Sequence, residues 1–297
     1  MGRKNRNPLT DRLAYGAQRA FLGLTGSLPY RQRLAIAGRV GRMAVTRIPK
    51  FHDRIAANLA HVMPELDRAA RDRIAGQTGD SFGRTLIEIL HNPDFHRQGT
   101  CIAPDGDAAQ MILDAARDGT GALLVGGHFG QWEASRVWLK ALGVNVGGIY
   151  RPTDNPLLNA YYHRNLEFGG KPVLPKGSRG FRGLVAHVAK GGIAGILVDQ
   201  YEKRSERIDF LGKPAPTSFV AADLALKYNV PLIPVYGIRE PDGVSVRIVV
   251  EPPVEVGTPR EMMQRVNDSL AARIRAHPGQ YYWLHRRWEK KLPLPDS

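Results

Sequence analysis

Apolar residues recur at three- and four-residue spacing through LAIAGRVGRMAV, FHDRIAANLAHVM and SFGRTLIEIL, with Pro49, Pro64 and Pro93 as punctuation. That spacing predicts helices throughout residues 8–98. From about residue 100 the texture changes, and short apolar runs alternate with amphipathic stretches. Strands are expected at 121–127, 144–152, 172–176, 193–200, 230–240 and 244–254. Helices are expected at 131–143, 155–170, 180–192, 218–229 and 259–278. Strand alternating with helix predicts an α/β fold with a mostly parallel central sheet flanked by helices, preceded by a helical N-terminal region. The expected division is a helical region over 1–98 and an α/β region over 99–297, packed as one continuous domain. The last two strands are expected to pair as a hairpin across Pro241, Asp242 and Gly243.

The first amphipathic segment carries its own question. Leu13, Ala14, Ala17, Ala20, Phe21 and Leu24 share one helical face, with Arg12 and Arg19 off it. Such a face suits a membrane interface and equally suits packing on the rest of the fold; both readings stand. No run of about 18 apolar residues occurs, so a membrane-spanning helix is not expected.

Composition narrows the classes. Apolar residues make up 43% of 297, enough for a packed core. Basic residues outnumber acidic ones 42 to 28, a net charge of +14, so the surface attracts anions. The basic residues are spread along the chain without a nucleic-acid-reading motif, so no nucleic-acid partner is expected. The single cysteine, Cys101, excludes a disulfide framework and reads as a partly buried thiol.

Chemistry concentrates at expected strand ends, where open α/β sheets bind ligands. His128 follows the first of these strands within GGHFGQWE, Arg151 follows the second, and Asp199 and Gln200 follow a later one. If the helix after His128 starts near Gly130, Glu133 can turn back and bond one ring nitrogen, leaving the other to take a proton from a hydroxyl. The alternative is a capping histidine with a glutamate satisfying the helix dipole. No metal-ligand spacing, phosphate-binding glycine loop or serine elbow is present, and neither a metal nor a cofactor is expected.

The blocks HFGQWE, IYRP, LVDQ, FLGKPAPTSFVAADLA, VPLIPVYGIR and YYWLHRRWE, in that order, resemble the bacterial lipid A biosynthesis acyltransferases. These are the late lauroyl/myristoyl acyltransferases of the lysophospholipid-acyltransferase-like superfamily. RIAANLAHVMPEL at 54–66 is similar to that family's N-terminal element, and the resemblance covers roughly residues 50–290. It implies transfer of a fatty acyl chain from acyl carrier protein to a lipid hydroxyl, first of all on a lipid A precursor. His128 then matches the general base, Glu133 its orienting carboxylate, and Arg151 a group holding a phosphate or the oxyanion. Asp199 matches a strand-end acid, with Gln200 beside it. Lys213, Thr217 and Ser218 fall in a block where a helix cap and a phosphate contact are both open. Trp283, His285, Arg286 and Arg287 match a terminal aromatic–basic segment, readable as a membrane or substrate contact or as a packed terminus. The implied partners are acyl carrier protein, anionic membrane lipids and the lipid acceptor. The implied location is the cytoplasmic face of the bacterial inner membrane, bound peripherally. Another glycolipid or lysolipid acceptor, or thioester hydrolysis by the same groups, remain alternatives.

Overall fold

A computed structural model of the protein describes residues 8–289 and 292–294. Five helices come first: α1 (Pro8–Gly26), α2 (Tyr30–Arg47), α3 (Pro49–Val62), α4 (Arg68–Leu90) and α5 (Asn92–Arg97). Asp67 caps α4 by accepting from Ala70 N at 2.7 Å, which satisfies an amide the helix itself leaves free. α2 crosses α4 at backbone contact. A Cβ on Gly41 would lie 2.1 Å from the Gly79 carbonyl oxygen, and one on Gly79 would lie 2.5 Å from that of Gly41. Only glycine permits that approach.

The α/β region follows as β1 (Cys101–Ile102), α6 (Asp107–Asp118), β2 (Ala122–Gly126), α7 (Ala134–Ala141), β3 (Val146–Tyr150), α8 (Pro156–Phe168), β4 (Val173–Pro175), α9 (Ser178–Ala189), β5 (Ile193–Leu197), β6 (Arg207–Phe210), β7 (Lys213–Pro216), α10 (Val220–Tyr228), β8 (Leu232–Arg239), β9 (Val246–Val250) and α11 (Pro259–Ala276). The seven-stranded sheet runs β1-β9-β8-β2-β5-β3-β4. Every neighbouring pair is parallel except β8 with β9, which forms the expected hairpin. β6 and β7 make a separate antiparallel ribbon.

β2 sits at the centre, and all five of its residues are buried, as a strand covered on both faces requires. Leu123 and Val125 face a cluster with Leu184, Ala222 and Val266; Ala122 and Leu124 face one with Ile112, Trp138 and Val246. A third cluster joins the two regions: Ile55, Leu59 and Ile74 from α3 and α4 pack with Phe129, Tyr236, Leu270, Trp283 and Trp288. The helical region and the sheet therefore share hydrophobic core.

Three pieces differ from the sequence expectation. The helix expected from residue 131 starts at Ala134, because Gln131 to Glu133 form a turn closed by the bond from Ala134 N to Gln131 O at 3.0 Å. β1 and α6 occupy the stretch before β2, and the β6–β7 ribbon occupies a stretch for which no strand was expected. β1 and β7 are too short or too proline-rich to show a period of two.

Candidate active site

β2 delivers His128 and its neighbour β5 delivers Asp199. The strands are parallel, with Gly126 level with Leu197, so two further residues bring His128 and Asp199 side by side. The Asp199 carboxylate takes both polar groups that His128 presents to it. It lies 2.8 Å from Nδ1 and accepts from the backbone N–H at 2.9 Å. Asp199 is 1% exposed. Burial alone would raise its carboxyl pKa, but the His128 charge and these hydrogen bonds outweigh it and hold the group below the usual carboxylate range. With Nδ1 engaged, Nε2 remains for chemistry.

Three rings wall the imidazole: Trp132 at 5.2 Å between centroids, Tyr282 at 6.2 Å and His285 at 4.5 Å. Burial pushes the His285 pKa down to about 4, despite Asp199 nearby, so its ring is neutral at pH 7. His128, Asp199 and His285 each bring a metal-ligating type of atom within 4.8 Å of the others. Their positions along the chain do not suggest such a grouping; strand pairing and the C-terminal segment assemble it.

Glu133 does not hold the imidazole. Its Oε2 accepts from Arg136 Nη1 at 2.6 Å, and Arg136 Nη2 donates to the carbonyls of Leu166 and Gly170, each at 2.9 Å. The carboxylate at the ring nitrogen is that of Asp199 and not the expected Glu133, because the 131–133 turn presents Glu133 to Arg136 one helical turn on. A buried network sets that turn. Gln131 Oε1 accepts from Glu133 N at 3.0 Å, and Gln131 Nε2 donates to Glu88 at 2.5 Å. Tyr30 and Arg239 also bond Glu88.

A cavity of about 800 Å³ opens at the carboxyl ends of β2, β3 and β5. His128, Trp132, Glu133, Arg151, Gln200, Ser218, Tyr282 and His285 line it. Its apolar part crosses the sheet face where Gly148 and Gly195 are register partners, between Leu124 and Val173. A Cβ on either glycine meets no atom closer than 3.6 Å. The two missing side chains leave a groove there, next to Ile89 and Leu166.

Other expected site residues lie elsewhere. Lys213, at the start of β7, and Thr217 are not among the cavity-lining residues. Thr217 is buried, and its Oγ1 accepts from Arg287 Nη2 at 2.7 Å and donates to Ala215 O at 3.0 Å. Ser218 Oγ accepts weakly from Val220 N at 3.4 Å, at the entry to α10. Trp283 and Arg287 are 0% exposed and Trp288 1%, so they are packing groups and not a membrane contact. Arg287 also donates to Pro216 O and lies over the Phe210 ring at 5.0 Å; these contacts lock the terminus onto the β6–β7 ribbon. Arg286 is exposed. The residues that sequence reasoning passed over are Trp132, Tyr282, Glu88, Gln131 and Arg136, whose roles depend on partners remote in the chain or on burial.

Over residues 4–290 the chain matches the family described as bacterial lipid A biosynthesis acyltransferase. It is 25% identical over 279 residues to a lipid A biosynthesis lauroyltransferase of Escherichia coli (strain K12), covering 91% of this chain and 89% of the relative. It is 26% identical over 296 residues to a phosphatidylinositol mannoside acyltransferase of Mycolicibacterium smegmatis, covering 94% and 95%. It is 24% identical over 292 residues to a lipid A biosynthesis palmitoleoyltransferase of Escherichia coli (strain K12), covering 93% and 90%.

Proposed function

Because the chain belongs to the bacterial lipid A biosynthesis acyltransferase family and is an acyltransferase, we propose that it moves a fatty acyl chain from a carrier-protein thioester to a glycolipid hydroxyl, with a lipid A precursor as the first candidate acceptor. The observation that carries this reading is the His128–Asp199 pair, with one ring nitrogen taken by a buried carboxylate at the wall of a largely apolar cavity. Nε2 of His128 removes the acceptor hydroxyl proton as the oxygen attacks the thioester carbonyl. The tetrahedral intermediate then collapses, the C–S bond breaks, and the thiolate takes the proton back from the imidazolium. Asp199 keeps Nδ1 protonated and stabilises the imidazolium. Among the described residues no serine or cysteine hydrogen-bonds His128, which favours direct transfer over an acyl-enzyme. Arg151, exposed at the cavity wall, holds a phosphate of the acceptor or the developing oxyanion. Glu133, anchored by Arg136, is a fixed part of the wall.

The test is acyl transfer read by mass spectrometry, with carrier-protein thioesters, lipid acceptors and His128→Ala as control. Mass gain on a glycolipid, lost in the variant, supports the reading. Free fatty acid alone, with no acylated lipid, overturns it in favour of thioester hydrolysis.

The glycine groove is the acyl site in this reading. Gly195→Ala narrows it, since a Cβ there meets no atom closer than 3.6 Å, so chain length should respond. Turnover of the longest accepted donor is expected to fall about tenfold, with a shorter donor little affected. Equal loss on all donors would place the acyl chain elsewhere.

The donor reading draws on a basic rim. Lys176 and Arg151 line the opening, and Arg179, Arg182, Lys203 and Arg204 are exposed next to rim residues. An acidic carrier protein is drawn to such a rim. The Arg179→Glu, Arg182→Glu double variant should raise KM for a carrier-protein donor about tenfold at low salt. A short pantetheine thioester should show no change, and 0.5 M salt should remove the difference. Equal effects on both donors would count against carrier docking at this rim.

Membrane association is the remaining part of the proposal. No helix among the described residues is long and apolar enough to cross a membrane. α1 leaves Leu13, Phe21 and Leu24 exposed, and α2 leaves Ile36, Val40 and Met43 exposed beside Arg39 and Arg42. Apolar stripes next to arginines suit the surface of an anionic bilayer.

A further inference from the structure

The element RIAANLAHVMPEL supplies no residue to the cavity wall, yet it reaches the histidine through the C-terminal segment. Asn58 on α3 is buried, and its Nδ2 donates to two carbonyls, Trp283 O at 2.6 Å and His285 O at 2.9 Å. One turn earlier on the same helix, Arg54 Nη1 donates to Leu284 O at 3.3 Å. Three consecutive carbonyls of the segment thus rest on one helix. The segment in turn grips the loop carrying His128. Tyr282 N donates to His128 O at 2.9 Å, and Gly130 N donates to Gln280 O at 2.8 Å.

Residues 282–288 belong to no helix or strand, so side chains hold them. The Trp283 indole bonds Pro278 O at 2.8 Å, and Arg287 and the Trp288 indole bond the β6–β7 ribbon and the turn after it. His285 has no such anchor of its own. Its buried Nε2 has no hydrogen-bond partner among the described residues; the ring rests on Tyr282 and His128, and Asn58 holds the backbone that carries it.

We propose that Asn58 is a positioning residue for the catalytic base, fixing the 283–285 backbone so that His285 and Tyr282 confine the His128 ring with Nε2 available to substrate. The proposal rests on the reading of His128 as general base. The amide suits the task because its two hydrogens serve two carbonyls at once. Aspartate would set a carboxylate against them, and alanine would leave both unpaired.

The experiment compares Asn58→Ala and the milder Asn58→Ser, which keeps one donor, with Ile112→Ala, a buried substitution on α6 that opens a cavity away from the C-terminal segment and lines no part of the site. Each full-length protein is assayed below its melting temperature for kcat and KM, and the His128 ring is titrated by NMR. The expected result for Asn58→Ala is a kcat lowered about tenfold or more with KM for the donor unchanged, and a displaced His128 midpoint. Asn58→Ser should fall between that and the parent, and carries the test if Asn58→Ala does not fold. Ile112→Ala should lose melting temperature while keeping both kcat and the His128 midpoint. Parental kcat and midpoint in the Asn58 variants would overturn the proposal, as would the same changes in Ile112→Ala. The NMR titration needs no turnover, so it tests the tether even if His128→Ala remains active, the outcome that overturns the general-base reading.

Discussion

His128→Ala is expected to lower acyl transfer by about two to four orders of magnitude, the usual worth of a positioned general base. The variant should still fold, because Asp199 keeps its bond from the backbone N–H of residue 128. Asp199→Asn should be nearly as damaging, for a reason of tautomer. One carboxylate oxygen accepts the backbone N–H and the other faces Nδ1. An asparagine that satisfies the backbone with its carbonyl must turn its NH2 toward Nδ1. Nδ1 then becomes an acceptor, the proton moves to Nε2, and the base is blocked. A loss of about 10²–10⁴ in kcat is expected, with donor KM little changed. Glu133→Gln is the informative contrast. Its carboxylate is bonded to Arg136 rather than to the imidazole, so its loss should be markedly smaller. Kinetics of the three variants side by side check the assignment. A Glu133 variant as inactive as Asp199→Asn would restore Glu133 as the orienting acid.

The second large effect concerns stability. Arg239→Met is expected to cost about 3–5 kcal/mol, because it strips the charge partner from a buried carboxylate. Glu88 and Arg239 are both buried, and Tyr30 OH and Gln131 Nε2 complete the Glu88 shell at 2.6 and 2.5 Å. The melting temperature should fall on the order of 10 °C for a chain of this size. Adding Glu88→Gln to Arg239→Met removes the orphaned charge and should recover part of the loss, which denaturant unfolding of both variants measures. No recovery would mean that charge burial is not the source of the cost. The site should suffer as well. Gln131 rests on Glu88 and holds the Glu133 N–H, so the network joins α2 and α4 to the turn after His128.

The order of elements was legible because burial leaves a periodic trace. Continuous apolar runs marked β2 and β8, three- and four-residue spacing marked the early helices, and glycines beside His128 marked a strand end. The residue types of the site were also legible: His128, Arg151, Asp199 and Gln200 all stand just beyond strands. Which acid serves His128 was not. Glu133 is five residues away and Asp199 seventy-one, and only the β2–β5 register makes the distant one the neighbour. The same limit applies to the C-terminal tryptophans and Arg287. An aromatic–basic string suits an interface or a core equally well, and tertiary packing sent it inside, onto Phe210 and Thr217. Local pattern records how each segment meets water along its own length. Hydrogen-bond partners are chosen between segments, by register and crossing, and a periodicity within one segment carries no information about them.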